Sequence, residues 1–314
     1  MGTVMGVVTD KTSLSGWLNG LLGVVIFSGS LPATRLAVQD FDPFFLTFAR
    51  ASLAGVLALI LILGLREKRP PAARIVPLMM VSLGVVIGFP LFTALALQHV
   101  TAAHSIVFLG LLPLMTAIFA VLRGKERPAR AFWFFSVLGS LLVAGFAFSQ
   151  DASLSLTGDL LMLAAVIVCG LGYAEGAALT RESGGWQVIS WALILALPFM
   201  VVASVLMMPV SFSGIGFPAW AALGYVSLFS MLIGFIFWYK GLARGGIAAV
   251  GQLQLLQPFL GLGLSATLLH EQVSPLMLFI TLGDVYHFGC HSVCYCFAEI
   301  CPLNVKREPK CLTV

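Results

Sequence analysis

The chain has 314 residues, 60% of them hydrophobic and 10% charged, with a mean hydropathy of +1.03. Soluble domains carry about 25% charged residues, so this composition excludes an ordinary soluble protein and calls for a polytopic membrane protein. The net charge of +4 is too small for a nucleic-acid footprint. Five of the six cysteines lie after residue 289 and Cys169 sits alone in an apolar run, which gives no disulfide framework.

In chain order, apolar runs long enough to cross a bilayer fall at 14–36, 44–65, 75–97, 101–122, 131–149, 158–180, 187–208, 217–239, 245–269 and 274–297. The first run follows a single Lys and has no small-residue cleavage site, so it reads as a retained span and not as a signal peptide. Pro43, Pro70, Pro71, Pro128, Pro209 and Pro218 fall at breaks, where a missing N–H is harmless. Pro77, Pro90, Pro113, Pro198 and Pro258 fall inside spans, where they are expected to loosen the helix.

Positive charge separates cleanly between the breaks. Lys11, the breaks after spans 2, 4, 6 and 8, and the tail hold 15 of the 17 Lys and Arg residues. The break after span 1 reads VQDFDP, with Asp40 and Asp42. The positive-inside rule makes the basic side cytoplasmic and places both termini there. Arg35 and Arg50 are the two exceptions, near the outer ends of spans 1 and 2.

One stretch occurs twice. FTALALQHVTAAHSIVFLGLLPLMTAIFAVLRGKE, from Phe92 to Glu126, aligns without gaps on FWYKGLARGGIAAVGQLQLLQPFLGLGLSATLLHE, from Phe237 to Glu271. The offset of 145 carries Pro113 onto Pro258 and Glu126 onto Glu271. Matched leucines mean little in so apolar a chain, but a Pro inside the helix and a Glu ending it mark an internal duplication. Residues 1–149 and 150–300 then form two halves of five spans, followed by a polar tail at 301–314. Five is odd, so the halves must cross in opposite directions, the inverted repeat found in many secondary transporters. The expected architecture is all-α: ten transmembrane helices in two inverted five-helix repeats.

The stretches DPFFLTFARASLAG, ALQHVTAAHSIVFLGLLPLMTAIFAVLRGKERP and GLARGGIAAVGQLQLLQPFLGLGLSATLLHEQVSP resemble the EamA-type transporters of the drug/metabolite transporter superfamily, and the resemblance covers roughly residues 14–283. It implies a multi-pass inner-membrane carrier that exports metabolites, amino acids or drugs, with a cavity lined mainly by spans 3, 4, 8 and 9. Outward direction rests on the resemblance alone.

The end of the chain departs from that pattern. After Gly283 it reads DVYHFGCHSVCYCFAEICPLNVKREPKCLTV, polar and rich in cysteine where a tenth span should continue. A reading-frame shift near residue 284 would explain the change. His287, Cys290, His291, Cys294 and Cys296 are sound zinc ligands by type, but their spacing matches no strong zinc pattern, so no metal site is assigned.

The candidate site residues are few. Gln252, Gln254 and Gln257 lie on span 9, where the first copy has Val107, Leu109 and Leu112, so the fold does not require amides there. Gln257 lies about 18 Å along the span, just past the middle of a core of about 30 Å. The three line a cavity for a polar solute, or else fasten helices by hydrogen bonds. Glu175 on span 6 is a candidate for proton or cation binding; the simpler reading has it reach the interface near Arg181. Arg50 could clamp a carboxylate, but anchoring through Asp40 or Asp42 is simpler. His99 and His104 lie near the outer mouth, as a pH-responsive gate or, more simply, as exposed loop residues. Tyr239 could close an inner gate, whereas Trp17, Trp133, Trp186, Trp220 and Trp238 read as interfacial anchors. Glu126 and Glu271 end corresponding helices and read as structural. Pro113, Pro258 and Pro90 are the candidate kink positions for gating.

Catalytic chemistry finds little support. The HisGlu pair at 270–271 lacks the second His of a zinc protease helix, and no GxxxxGK[ST] loop is present for ATP. No cofactor is called for; energy would come from ion coupling, with the proton a candidate, from a solute gradient, or from an associated ATPase. The partners implied are a small-molecule substrate and the lipid bilayer. The expected function is secondary transport by alternating access around a midplane cavity. The alternatives are a non-transporting scaffold or receptor, or a non-functional product with a disrupted tenth helix.

Overall fold

The computed structural model describes residues 8–124, 133, 137, 155–273, 275–279 and 282, with side chains from Leu14 onward. Eight of its helices are long and apolar enough to cross a membrane: α1 (Leu14–Ala37), α2 (Pro43–Gly64), α3 (Ala72–Ala96), α4 (Ala102–Arg123), α5 (Leu156–Ser183), α6 (Gly185–Leu206), α7 (Phe217–Gly245) and α8 (Ile247–Leu268). Expected spans 131–149 and 274–297 fall largely outside the described residues, and Glu126 and the histidines and cysteines after residue 283 lie wholly outside them.

Helices α2, α4 and α5 begin where the sequence supplies a side-chain cap. Asp42 accepts from the backbone N–H groups of Phe44 and Phe45 ahead of Pro43, the first residue of α2. Thr101 accepts from His104 N at the start of α4, and Ser155 from Gly158 N at the start of α5. Reversals between α5 and α6 and between α7 and α8 turn on Gly184 (φ +91°) and Gly246 (φ +89°), values that a side chain would strain. The second of these is the glycine pair at 245–246. Helix α7 runs past the expected end at 239 to Gly245, taking Lys240 and Arg244 into its last turns. Cations suit a helix C-terminus, and Arg244 also reaches Ser15 Oγ at 3.0 Å.

The helices are irregular at matched places. Residues Ser82–Gly88 of α3 and Val226–Ile233 of α7 are π-helical. The offset of 145 carries the first segment onto residues 227–233. A 3₁₀ turn precedes Pro113 in α4 (Leu109–Leu111) and Pro258 in α8 (Gln252–Leu255). Each turn includes the residue four before its proline, Leu109 or Gln254, whose carbonyl the proline has no N–H to meet, and Pro90 lies two residues after the π-segment of α3. Pro198 sits inside an unbroken α6, and Pro77 lies in the first turn after the 3₁₀ start of α3. Helix α1 breaks at Gly29, three residues before Pro32, which has no N–H to offer the carbonyl of Ser28.

Between lipid-embedded helices apolar burial is a weak driving force, so small residues that allow backbone approach carry the packing. Helix α1 lies against α7, and α5 lies against α3. A Cβ on Gly241 would stand 2.6 Å from Gly20 N, and one on Gly16 would stand 2.7 Å from Gly245 N. In the other pair, a Cβ on Gly84 would stand 2.6 Å from Val168 O. Helices α2 and α6 pack on each other, as do α4 and α5. The core runs continuously through these contacts, from Val24 and Phe27 through Ile106 and Leu112 to Trp238 and Leu262.

Candidate functional site

A group of buried aromatic rings and amides lies where α1, α5, α7 and α8 meet. Five aromatic rings form the apolar part of this node. Phe27 lies 5.0 Å from Phe235, 6.2 Å from Trp238 and 6.3 Å from Tyr173, centroid to centroid. Tyr173 lies 5.4 Å from Trp238, and Phe235 lies 5.3 Å from Tyr239. Trp238 is 0% exposed, which overturns its reading as an interfacial anchor. The longer α7 accounts for the difference, because it places Trp238 nearly two turns inside the helix end. Trp220, near the start of α7, is 42% exposed, as an interfacial residue would be. Tyr239 is buried as well; its hydroxyl donates to Gly172 O at 3.0 Å, and its ring occupies the space a Cβ on Gly176 would need.

The three glutamines of α8 are all buried. Gln257 Nε2 donates to Phe27 O at a long 3.5 Å, and Gln252 Nε2 to Ala248 O of its own helix at 3.4 Å. Gln254 is 0% exposed, and among the described residues neither its Nε2 nor its Oε1 has a hydrogen-bond partner. The Tyr173 hydroxyl lies beside Gln254 and Cys169. Trp238 Nε1, Gln252 Oε1 and Gln257 Oε1 are likewise unpartnered. The interhelical fastening expected as the alternative role is therefore met only by Gln257. Buried amides are normally satisfied, so donors and acceptors left open at one node are fit to hold a polar molecule.

Arg50 on α2 is 4% exposed. Asp40 and Asp42, expected to pair with it, are both engaged elsewhere. Asp42 caps α2, and Asp40 Oδ2 accepts from Gly216 N at 2.9 Å. Arg50 Nη2 instead donates to Val226 O, at the first residue of the π-segment in α7, at 3.3 Å. Its Nε is buried without a partner.

Two sets of polar contacts close the ends of the bundle. On the face that carries Arg74, Arg123 and Arg244, Arg123 binds both carboxylate oxygens of Glu175, at 2.8 and 3.1 Å. Glu175 thus lies buried between α4 and α5 and does not reach the interface near Arg181. Arg74 bridges to Glu182 at 2.9 Å and to Ser183 Oγ at 2.6 Å. On the opposite face, His104 Nε2 lies 2.7 Å from Asp159 Oδ1. His104 is buried, contrary to its reading as a water-exposed loop residue. Glu271 accepts from the N–H groups of Ala102 and Ala103 at 3.1 and 2.8 Å, capping α4 from beyond the end of α8, with Arg35 Nε 4.0 Å away. Arg35 Nη1 also donates to Leu97 O.

Several members of these sets were not singled out in the sequence: Tyr173, Phe27, Phe235, Asp159 and the role of Arg123. Asp159 and Arg123 were visible in the sequence as charges near the ends of spans, but the partner each one meets was not. The aromatic rings had no such signal, since the chain holds 24 Phe and 5 Tyr.

The EamA-like transporter family matches residues 14–148 and 156–283. The match ends at the residue after which the composition changes. A transporter of Bacillus subtilis (strain 168), named as the uncharacterized transporter YdeK, is 63% identical over 276 residues, which are 88% of this chain and 96% of that protein. A second from the same organism, the uncharacterized transporter YyaM, is 24% identical over 84% of this chain and 88% of its own. A solved crystal structure superposes with a TM-score of 0.68 at 19% identity, covering 91% of this chain and 99% of the other. At that identity it speaks to the fold alone.

Proposed function

Because this chain belongs to the EamA-like transporter family, and is therefore a membrane transporter, we propose that it is a secondary active carrier that exports small metabolites, amino acids or drugs. The chain spans the inner membrane ten times in two inverted halves, 1–149 and 150–300, with the tail at 301–314 and both termini in the cytoplasm. Substrate sits near the midplane, against Gln252, Gln254 and Gln257 of α8, with Tyr239 and Glu175 on the cytoplasmic side. It is handled by alternating access, with a solute or proton gradient as the energy source and no cofactor or catalytic step.

The observation that carries this reading is Gln254: an amide 0% exposed at the node of α1, α5, α7 and α8, with neither polar atom hydrogen-bonded among the described residues. Burying an amide unpaired costs about 1–3 kcal/mol, a cost that a bound solute would offset. The irregular segments supply the moving parts. The π-turns of α3 and α7 and the 3₁₀ turns before Pro113 and Pro258 lie at matching positions in the two halves, and such departures mark hinges. The Arg123–Glu175 pair would hold one end shut while the Glu271 and His104 contacts release the other, and the reverse.

Uptake into proteoliposomes of labelled amino acids and small cations, with and without a pH gradient, tests the proposal. Saturable uptake that is lost in the Gln254→Leu/Gln257→Leu variant supports both carrier and site. Uptake that survives those changes removes the α8 site, and no uptake from folded, monodisperse protein overturns the carrier.

A further inference from the structure

We propose that Arg50 is the binding group for a carboxylate, so that the solutes this carrier accepts bear one carboxylate on a small body. The inference rests on the transporter reading above. Its starting point is a charge with no counter-charge. Arg50 lies about 10 Å below the start of α2, at 1.5 Å per residue, and is 4% exposed. A guanidinium in such a place is expensive unless it is paired or meets water or ligand. Among the described residues no carboxylate comes within ion-pair distance of it. The two acids closest to it in the chain, Asp40 and Asp42, are held by Gly216 N and by the start of α2.

What contact Arg50 does have orients the group without neutralising it. Nη2 rests on Val226 O at 3.3 Å, a long bond to a neutral carbonyl of the π-segment. Nε, on the same edge of the guanidinium plane, is buried and open. That edge, with two roughly parallel N–H directions, is the one that takes a carboxylate in the bidentate fork. Since Val226 opens the π-segment of α7, an anion on Arg50 would act on the element whose irregularity is repeated in α3. The polar side chains of Tyr225 and Ser230, near Val226 on α7, are neutral and engaged: Ser30 and Ser230 bond each other at 2.7 Å, and the Tyr225 hydroxyl donates to Ile26 O at 2.6 Å.

The test needs no knowledge of the natural substrate. Thermal unfolding of the purified full chain in detergent is measured with sodium benzoate, with its neutral isostere benzamide, and with sodium chloride at equal ionic strength. Benzoate is expected to raise the midpoint by several degrees, and benzamide and chloride are not. Arg50→Met is expected to abolish the benzoate shift and, without ligand, to unfold at a higher temperature than the parent, because it removes an uncompensated buried charge. Arg50→Lys keeps the charge but loses the fork and is expected to bind benzoate at least about tenfold more weakly. Arg50→Met unfolding below the parent would make the Val226 bond a structural tie and overturn the proposal. A benzamide shift equal to that of benzoate would do the same, and so would an equal shift with chloride. A benzoate shift without uptake of any solute would leave the anion site standing and count against the carrier. Saturable uptake of neutral solutes, with no benzoate shift, would remove the site and leave the carrier.

Discussion

Arg123 holds Glu175 by two bonds, Nε to Oε2 at 2.8 Å and Nη2 to Oε1 at 3.1 Å, and so ties the end of α4 to α5. The two partners are unequally covered, with side chains 41% and 8% exposed respectively. Removing Arg123 therefore harms more than removing Glu175, since it strands a buried carboxylate while the reverse change leaves a cation that water can reach. Arg123→Gln is expected to cost about 1–3 kcal/mol, toward the lower end because water screens the guanidinium. Glu175→Gln is expected to cost less, and the double variant to lie closer to Glu175→Gln than additivity allows. A double-mutant cycle on thermal or denaturant unfolding measures this; additive effects would show that the pair is not coupled.

Glu271 serves α4 as an N-cap delivered from outside the helix. Glu271→Ala is expected to destabilise by about 1 kcal/mol, as cap removal does. Glu271→Gln, which keeps an acceptor oxygen, should lose less than half of that. Equal losses for the two variants would mean that the charge, acting with Arg35, matters more than the cap.

The glycines of the α1–α7 contact are constrained by backbone on the other side. A Cβ on Gly241 would stand 2.6 Å from Gly20 N and 2.8 Å from Gly20 Cα, and a backbone cannot step aside as a flexible side chain can. Gly241→Ala is expected to lower the unfolding midpoint clearly, by about 2 kcal/mol or more in free energy. Gly263 of α8 has open space around its Cβ direction, so Gly263→Ala is expected to be neutral or to stabilise by up to about 1 kcal/mol through helix propensity. Comparing the two midpoints in one detergent checks both.

Gln254→Leu separates function from stability. Its two polar atoms contribute no bond in the structure, so a residue of similar size without polar atoms is expected to unfold no earlier than the parent, or slightly later. Uptake in proteoliposomes is expected to fall at least tenfold. A large loss of stability would show that Gln254 is a fastening residue after all.

Much of the fold was legible in the sequence, and the particular residues say why. Lipid leaves the backbone no partner but itself, so an apolar run of about 20 residues must be a helix; all eight helices fall within a few residues of the expected runs, apart from the C-terminal end of α7. Pro113 and Pro258 stood out as a rare residue type at one offset, and each follows a 3₁₀ turn. The burial of Gln254 followed from its place on a span. Other features had no such signal. The π-turn at 226–233 contains no proline, and its twin at 82–88 precedes Pro90 without being required by it.

Partnership was decided by tertiary structure alone. From the sequence, Arg181 was the natural neighbour of Glu175, and Asp40 and Asp42 were those of Arg50, because each is close along the chain. The fold instead gives Glu175 to Arg123 from another helix and spends both aspartates on backbone N–H groups, leaving Arg50 without an acid among the described residues. Trp238 moved from the interface to the centre for a related reason: its depth depends on where α7 ends, and the helix continues through Lys240 and Arg244. Hydropathy and charge along the chain fix which segments cross and which side is basic, because the bilayer acts on each segment separately. Which side chains meet inside depends on the order in which helices pack, and that order is set by contacts such as those of Gly20 with Gly241, between residues far apart in sequence.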